Sequence, residues 1–288
     1  MGRSVLAQAH QRAVHFCPHN EDGGAQIQPD QQDGERRPGK LEGKVEFENV
    51  TAHYEGAGEV SLENISFTAE SGQTIGIIGG TGSGKTTLIN LIPRLYDAAS
   101  GTVRIDGRDV REYDAETLRS LIGIVPQKSV LFKGTIRSNL LWGREDATDA
   151  DLWQALDIAQ AREVVKSREG ELDAEVAQNG ANFSGGQRQR LAIARALVRK
   201  PGILILDDSA SALDYATDAR LRQSIRTMAP TTFIVSQRAA SVRYADRIIV
   251  LDDGRVAGHG THDELLASCP VYQEIYYSQF PKEVAVHA

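Results

Sequence analysis

The order of apolar and polar positions divides the chain into short segments with different periods. Residues 45–54 (VEFENVTAHY) and 61–70 (SLENISFTAE) alternate apolar with polar side chains, which predicts two half-buried antiparallel strands. Residues 74–79 (TIGIIG) are apolar throughout, the pattern of a fully buried strand. Further short strands are predicted at residues 102–106, 122–126, 203–208, 231–236 and 246–252. These strands alternate with helical segments, so the pattern predicts an α/β fold with a parallel-sheet core and an antiparallel β flank.

Helical patterns lie between these strands. One helix is predicted from Lys85 towards Leu95, and a second from Ala115 to Leu121 with Asp114 placed to cap it. Helical patterns dominate between about residues 134 and 198, which predicts an inserted α-helical subdomain. The turn Asp253–Gly254 before RVAGHG predicts a hairpin near the end of the chain.

The first 41 residues differ from the rest of the chain. The run QIQPDQQDGERRPGK at residues 26–40 is polar and rich in Gln, Asp, Gly and Pro. Such a composition cannot bury enough apolar surface to order itself. We therefore expect a flexible leader or linker over residues 1–41 and one domain over residues 42–288.

Composition and charge exclude several classes of protein. A formal net charge of −7 argues against a nucleic-acid partner, since such domains usually carry a basic excess. The two cysteines, Cys17 and Cys269, have no spacing typical of a disulfide framework or a metal site. No apolar run approaches the roughly 18 residues of a membrane helix, and the N-terminus lacks a signal-peptide pattern. A membrane-spanning part, if the protein works with one, is expected on another polypeptide or outside this sequence.

The segment GGTGSGKT, Gly79–Thr86, follows the buried strand at residues 74–79 and matches the P-loop pattern G-x-x-x-x-G-K-[ST]. Its glycines allow successive backbone N–H groups to face phosphate oxygens, and the helix that begins here directs its positive end at the same anion. Lys85 supplies a charge to the β- and γ-phosphates, and the Thr86 hydroxyl is a ligand for Mg²⁺. The predicted ATP-binding residues of this segment are Gly79, Gly80, Thr81, Gly82, Ser83, Gly84, Lys85, Thr86 and Thr87.

A second part of the same site is predicted at ILILDD, residues 203–208. Four apolar residues predict a buried strand whose carboxyl end emerges beside the P-loop. Asp207 is therefore predicted to hold Mg²⁺ through water, together with Thr86.

The segment NFSGGQRQRLAIARAL, Asn182–Leu197, resembles the signature motif of ATP-binding cassette (ABC) proteins, with Phe183 in place of the usual Leu. The resemblance covers about residues 45–277 and implies a P-loop NTPase of the ABC ATPase fold: a RecA-like parallel-sheet core, an antiparallel β subdomain and an inserted α-helical subdomain. It also implies that two such domains enclose two ATP molecules. The signature residues would then contact ATP held on the partner domain, and they are Ser184, Gly185, Gly186 and Gln187.

The resemblance implies roles for three further positions. Tyr54 lies where the family stacks an aromatic ring on adenine, although a tyrosine on a strand face is an alternative explanation. Gln127 matches the glutamine that reaches Mg²⁺ and the attacking water. Ser211–Asp214 (SALD) resembles the D-loop at the dimer interface, which places Asp214 among the nucleotide-binding residues. Residues 89–110 and 118–140 look specifically like those of exporters of the multidrug and peptide type.

Two positions depart from the family where hydrolysis takes place. The resemblance implies a Glu after Asp207 and a His after Ser236, but the chain has Asp208 and Gln237. The Asp208 carboxylate is one methylene shorter, which displaces it by roughly 1 Å, enough to misplace the attacking water. Gln237 donates a hydrogen bond but carries no positive charge to the transition state. A third departure is Gln178–Asn179 within EVAQNG, in place of a charged pair.

These departures favour a degenerate nucleotide site, in which Asp208, Gln237 and Gln127 support only slow hydrolysis. The predicted partners are a second nucleotide-binding domain, as a heterodimer rather than a homodimer, and the transmembrane domain of an exporter. The chain would then lie at the cytoplasmic face of the cell membrane. Two alternatives remain: a self-sufficient homodimeric ATPase, and a soluble ATP-gated interaction module. The single P-loop and single signature disfavour the second, because soluble ABC proteins usually join two cassettes in one chain.

Other features are expected to be structural. Arg188, Arg190 and Arg195 follow the signature and are predicted to be surface or ion-pair residues. The histidines have no metal-ligand spacing, and residues 271–280 (VYQEIYYSQF) predict a terminal helix that packs through its aromatic side chains.

Overall fold

The computed structural model describes residues 41–53, 60–208 and 213–281. Within them the strands are β1 Val45–His53, β2 Val60–Ala69, β3 Thr74–Gly79, β4 Ser100–Ile105, β5 Arg108–Asp109, β6 Ile122–Val125, β7 Gly134–Thr135, β8 Glu175–Val176, β9 Ile203–Asp207, β10 Thr231–Ser236, β11 Arg247–Asp252 and β12 Arg255–Gly260. The helices are α1 Lys85–Leu91, α2 Ala115–Ser120, α3 Ile136–Leu141, α4 Asp149–Ile158, α5 Arg162–Lys166, α6 Gly185–Leu197, α7 Tyr215–Arg226, α8 Ala239–Val242, α9 His262–Ser268 and α10 Pro270–Gln279. Short 3₁₀ turns occupy Val110–Glu112, Glu171–Asp173 and Gln178–Gly180.

These strands form three sheets. The central six-stranded sheet has the order β12-β11-β3-β10-β9-β6, and all of its pairs are parallel except the hairpin of β11 with β12. A four-stranded antiparallel sheet has the order β2-β1-β4-β5, and β7 pairs with β8 in a two-stranded ribbon. The prediction of a mixed α/β fold with a parallel core and an antiparallel flank is therefore confirmed.

The central sheet is covered on both faces, which explains why its strands are apolar throughout. Alternate side chains of each strand enter different cores. In β3, Ile75 and Ile77 pack with the antiparallel sheet and α1, whereas Ile78 packs with the helices on the other face. The same alternation places Ile205 of β9 in the first core and Leu206 in the second.

The helices α3 to α6 lie between β6 and β9 in the chain and form their own packed group, in which α6 contacts both α3 and α4. Buried Asn139 of α3 anchors the segment before this group. Its amide donates to the carbonyl oxygens of Phe132 and Thr135, and its oxygen accepts from the Phe132 N–H at 2.8 Å. Because all these bonds replace bonds to water, the polar side chain is buried without an unsatisfied group.

One predicted helix ends earlier than expected. The helix that begins at Lys85 was predicted to run towards Leu95, but α1 ends at Leu91. Ile92 keeps helical dihedral angles, but Pro93 has no N–H to continue the i to i−4 hydrogen bonds, so the helix ends before it. Arg94 then adopts a left-handed conformation with φ of 52°. By contrast, α2 begins as predicted, with the Asp114 carboxylate accepting from the Thr117 N–H at 2.8 Å.

The arginines after the signature contact backbone oxygens and an aromatic ring, which differs in part from the prediction. Arg188 donates to the carbonyl oxygen of Phe183, and Arg190 donates to that of Gln160. Arg195 lies largely buried with its guanidinium 5.5 Å from the ring centre of Phe132, and burial lowers its pKa to about 10. Arg188 and Arg190 are half-buried, so part of each side chain stays at the surface, whereas Arg195 is largely buried. The prediction of surface or ion-pair residues is therefore wrong for Arg195.

The terminal helix α10 packs through aromatic side chains, as predicted. Tyr272 and Tyr276 are fully buried, and the Phe280 ring lies 4.8 Å from that of Tyr276. Within the described part of the chain, no helix is both long and apolar enough to span a bilayer.

Candidate nucleotide-binding site

A cleft of about 500 Å³ opens at the carboxyl ends of β3, β6, β9 and β10. Parallel strands bring the residues that follow them to one edge of the sheet, which is where ligands bind in open α/β folds. The cleft is lined by most of the predicted site residues, namely Thr81, Gly82, Ser83, Gly84, Lys85, Thr86, Thr87, Gln127, Asp207, Asp208 and Gln237. Residues separated by more than 150 positions in the sequence therefore meet around one space.

The P-loop is shaped for close approach of a ligand to the backbone. Gly82 and Gly84 adopt φ of 81° and 92°, a region that glycine enters at little cost. A Cβ atom at Gly80 or Gly82 would meet no atom within 4 Å, so the space over these two residues is open. A phosphate group is the ligand that suits such exposed N–H groups at the start of a helix.

Lys85 lies in the floor of the loop. Its ammonium group donates to the carbonyl oxygens of Gly79 at 3.0 Å and Gly80 at 2.5 Å, and to the Ser83 hydroxyl at 3.3 Å. Burial lowers the pKa of Lys85, an effect that the nearby charges of Asp207 and Asp208 oppose. A buried cation held by neutral oxygens gains from an approaching anion, which replaces the hydration that the charge has lost.

Thr86 and Asp207 form the hydroxyl and carboxylate pair expected of a magnesium site. Asp207 ends β9 and hydrogen-bonds with the Thr86 side chain. Burial and the adjacent Asp208 charge raise the pKa of Asp207, against the lowering effects of Thr86 and Lys85. Oxygen donors and uncompensated negative charge fit Mg²⁺, which keeps several waters and takes its remaining ligands from one or two side chains and phosphates. When bound, this ion would neutralise phosphate charge, and Thr86, Asp207 and Gln127 would hold it.

The raised pKa of Asp207 gives a test that needs no turnover. Because the folded state binds the Asp207 proton more tightly than the unfolded chain, the ionised carboxylate lowers stability at neutral pH. We expect Asp207→Asn to raise the melting temperature of the magnesium-free protein at pH 7.5 by about 1–3 °C, equivalent to less than about 1 kcal/mol. The gain should disappear below about pH 4, where the carboxyl is protonated in both states.

The same variant should bind ATP with an affinity that no longer rises when Mg²⁺ is added. Scanning calorimetry across pH and titration of ATP with and without Mg²⁺ measure the two effects. Asp252→Asn is the matched control, because Asp252 is an exposed carboxylate at the end of β11. A lower melting temperature for Asp207→Asn at pH 7.5 would contradict the assigned cost of this charge.

Asp208 directly follows Asp207 and is hydrogen-bonded to the backbone and to two side chains. Its φ is 42°, and its N–H donates to the carbonyl oxygen of Val235 at 2.9 Å. Its carboxylate accepts from the Gln127 amide and from the Ser236 hydroxyl, each at 3.4 Å. Both bonds are long, so Gln127 and Ser236 restrain the position of the carboxylate only weakly.

Gln237 is an exposed residue that lines the cleft directly after β10. It lines the same cleft as Asp208. The two positions that depart from the family pattern therefore lie at one site.

The signature residues do not line this cleft. Ser184 caps α6 by accepting from the Gln187 N–H, and the Gln187 side chain accepts from the Ser184 N–H at 3.0 Å. A Cβ atom at Gly185 would meet no atom within 4 Å, so the start of α6 is open. Asn179, the second residue of the Gln178–Asn179 departure, has φ of 57°, a conformation that asparagine tolerates.

Gly79 and Gly80, at the start of the P-loop, are not among the residues that line the cleft. Two further predicted residues also lie outside the cleft or outside the described residues. Asp214 caps α7, where its carboxylate accepts from the Thr217 N–H at 2.9 Å and this bonding lowers its pKa. Tyr54 lies outside the described residues, as do the first two positions of the SALD segment. The assignments of Tyr54, Asp214 and the signature to nucleotide contacts stay predictions.

Several residues of the cleft were not predicted from the sequence. Ser61, Val235, Ser236, Asp253 and Gly254 all line it. The position of Ser236 at the end of a buried strand, directly before Gln237, was a usable indication. Asp253–Gly254 was predicted only as a hairpin turn. The turn is joined to β2 by the Glu63 N–H, which donates to the Gly254 carbonyl oxygen at 2.8 Å, a contact between distant parts of the chain.

Comparisons with known proteins agree with this arrangement. The family model described as ABC transporter matches residues 62–211, just over half of the chain. An uncharacterized ABC transporter ATP-binding protein of Bacillus subtilis, YfiB, is 46% identical over 85% of the chain and 43% of its own length. Rv1273c of Mycobacterium tuberculosis, described in the same words, is 49% identical over 82% of the chain and 41% of its own length.

Two other similar proteins are described as exporters. The beta-(1→2)glucan export ATP-binding/permease protein NdvA of Rhodopseudomonas palustris is 44% identical over 84% of the chain and 40% of its own length. The structure of a bacterial Atm1-family ABC exporter with ATP bound is 32% identical, with a TM-score of 0.81 over 96% of the chain and 47% of that protein. The chain thus spans less than half the length of these relatives. On its sequence, its fold and the arrangement of its P-loop cleft, the chain belongs to the ABC transporter family and carries the family's ATP-binding domain.

Proposed function

We propose that this chain is the ATP-binding part of an exporter, in which ATP-driven pairing of two nucleotide-binding domains drives transport through a transmembrane domain. Family membership implies ATP hydrolase activity of the ABC type. The word export in the name of NdvA and the exporter title of the structural relative support the direction of transport. On this proposal residues 42–288 form the domain, with helical residues 134–198 inserted, at the cytoplasmic face of the membrane.

A proposal about the rate of hydrolysis rests on a single observation. Asp208 and Gln237, the two residues that depart from the family pattern, line the same cleft. A glutamate at position 208 would extend about one methylene further towards the γ-phosphate, whereas the Asp208 carboxylate stays near Gln127 and Ser236. Gln237 brings no positive charge to the opposite side. We therefore propose that this cleft binds MgATP but hydrolyses it slowly.

A partner with a complete site would then perform most of the hydrolysis. The open start of α6, with the Ser184 hydroxyl fixed by its capping interactions, supports a role in completing that partner's site. A heterodimer is favoured over a homodimer because a homodimer would hold two slow sites. The alternatives are a homodimer in which Asp208 suffices and a soluble ATP-gated module.

The test is steady-state MgATP turnover of the chain beside its double variant Asp208→Glu, Gln237→His. We expect the double variant to turn over at least about 10-fold faster, since removing one well-placed electrostatic group typically costs about 100-fold or more. The same double variant carrying Lys85→Ala controls for contaminating ATPases. Comparable rates for the chain and the double variant would instead support the self-sufficient homodimer.

The choice of partner needs a separate experiment. The ATP-loaded chain is mixed with candidate membrane subunits in detergent, and co-purification is compared with and without MgATP. Nucleotide-dependent retention by a membrane subunit supports the transport role. Nucleotide-dependent association only with soluble proteins would favour the interaction module.

A further inference from the structure

The side chain of Gln279 bridges the two ends of the loop that follows β10. Gln279 is the last residue of α10, and its amide nitrogen donates to the carbonyl oxygen of Gln237 at 2.9 Å. Its amide oxygen accepts from the N–H of Ala239, also at 2.9 Å. We define residues 237–239 as the switch loop; it begins at Gln237, where the resemblance to the family implies a histidine.

This bridge acts as a cap supplied by another helix. The four-residue helix α8 starts at Ala239, and its own N-cap residue, Arg238, provides no side-chain hydrogen bond. The free N–H groups at a helix start need a partner. The oxygen of Gln279 serves the Ala239 N–H, while the nitrogen of the same amide holds the carbonyl group two residues earlier. One planar amide therefore fixes the spacing of both ends of the switch loop.

The switch loop connects onward to the carboxylate in the cleft. The Arg238 N–H donates to the Ser236 hydroxyl at 3.0 Å. That hydroxyl donates to the Asp208 carboxylate at 3.4 Å, and the Gln127 amide donates to the other oxygen of the same carboxylate at 3.4 Å. The position of the loop thus affects two polar residues that line the cleft, Gln237 directly and Asp208 through Ser236.

The helix that presents Gln279 is firmly anchored. Tyr272 and Tyr276 are 0% and 1% exposed, and Tyr272 contacts His262 of α9 through its hydroxyl at 2.8 Å. Gln279 itself is exposed, so it adds little to the core. Its described contacts with the rest of the protein are these two loop bonds, which separates its role from that of a packing residue.

We propose that Gln279 is a positioning residue for ATP hydrolysis, which holds the switch loop, and with it Gln237 and Asp208, in place over the cleft. The proposal concerns loop geometry, and only its effect on turnover rests on the proposed function. Because both bonds are made to backbone atoms, the bridge does not depend on which side chain occupies position 237. The P-loop makes no bond to Gln279, so nucleotide affinity should not depend on it.

The first arm of the test measures the loop directly, without turnover. Amide hydrogen exchange of the full chain is followed by NMR in Gln279→Met, which keeps the length of the side chain but removes both bonds. We expect the Ala239 amide to exchange at least 10-fold faster than in the unmodified chain. Gln279→Glu keeps the acceptor for the Ala239 N–H but cannot donate to the Gln237 carbonyl, so its exchange rate should lie between the two. An unchanged Ala239 exchange rate in Gln279→Met overturns the proposal.

A matched control lies on the same helix. Gln273 of α10 also donates its amide to a backbone carbonyl, that of Leu266 in α9, at 2.7 Å. Gln273→Met should leave the exchange of the Ala239 amide unchanged. If both variants accelerate it equally, Gln279 acts only through the general stability of α10 and the proposal is wrong.

The second arm measures turnover in the background Asp208→Glu, Gln237→His, where hydrolysis is expected to be faster. Adding Gln279→Met should lower kcat about 5-fold, equivalent to about 1 kcal/mol, with KM for MgATP changed less than 2-fold. Adding Gln273→Met should change neither constant. A rise in KM with constant kcat would show a role in binding and contradict the proposal. If that background itself shows no turnover, the proposed function fails, while the exchange arm still decides whether Gln279 holds the loop.

Discussion

Replacing Lys85 by alanine is expected to weaken binding of MgATP by about 100-fold or more. The Lys85 ammonium group is the cation in the floor of the P-loop, where it donates to Gly79, Gly80 and Ser83. Each charge-assisted hydrogen bond to phosphate contributes roughly 1.5–3 kcal/mol, so losing two of them removes about 100-fold in affinity. Isothermal titration of ATP with excess Mg²⁺ measures the change.

Unfolding of the Lys85→Ala protein would also weaken ATP binding, so its stability is measured separately. The melting temperature of the ATP-free Lys85→Ala protein should stay close to that of the parent, because burial disfavours the charged form of Lys85 in the absence of an anion. Lys200→Ala is the matched control, since Lys200 is an exposed lysine that pairs with Asp151 on α4. A Kd within 5-fold of the parent value would contradict the assignment of Lys85 to phosphate binding.

Replacing Gly79 by alanine is expected to destabilise the protein by about 2–4 kcal/mol, which lowers the melting temperature by roughly 5–15 °C. Gly79 ends β3 and pairs with Leu251 of β11. A Cβ atom there would overlap the carbonyl oxygen of Leu251 and lie 2.6 Å from the Ser83 hydroxyl oxygen. Because the Leu251 carbonyl belongs to the backbone of β11, a strand that is paired on both sides, the clash cannot be relieved by a side-chain rotation.

The neighbouring glycine provides the control for this prediction. A Cβ atom at Gly80 would meet nothing within 4 Å, so Gly80→Ala should change the melting temperature by no more than about 2 °C. Calorimetry on both variants without nucleotide makes the comparison. Equal stability of the two variants would mean that β11 moves to make room for the added methyl group. That outcome would contradict the close packing of β11 against Gly79.

The parts of the site that were predictable from sequence are those encoded locally. The spacing of Gly79, Gly84, Lys85 and Thr86 specifies a P-loop because every contributing group lies within eight residues. Asp207 was predictable because a buried apolar strand directly precedes it. The structure brings Lys85, Thr86 and Asp207 to one cleft. The parallel core was predictable for the same reason, since strands covered on both faces are apolar throughout.

The residues that were missed depend on contacts between distant parts of the chain. Gln279 and Gln237 are 42 residues apart, and nothing in VYQEIYYSQF distinguishes Gln279 from Gln273. Arg195 has the charge of a surface residue, but α6 is covered by neighbouring helices, so its guanidinium is buried against Phe132. Local patterns carry no information about which helix covers which face.

The position of β3 in the central sheet also has a consequence for biosynthesis. β3 ends at residue 79, but both strands that flank it, β10 and β11, come after residue 230. A ribosome adds about 5–20 residues per second, so the apolar strand of the P-loop waits roughly 8–30 s for its first neighbour to be made. Pairing between segments so far apart in sequence is slow and leaves strand edges exposed to aggregation. Nascent chains of this domain are therefore expected to need protection by chaperones until almost the whole domain has left the ribosome.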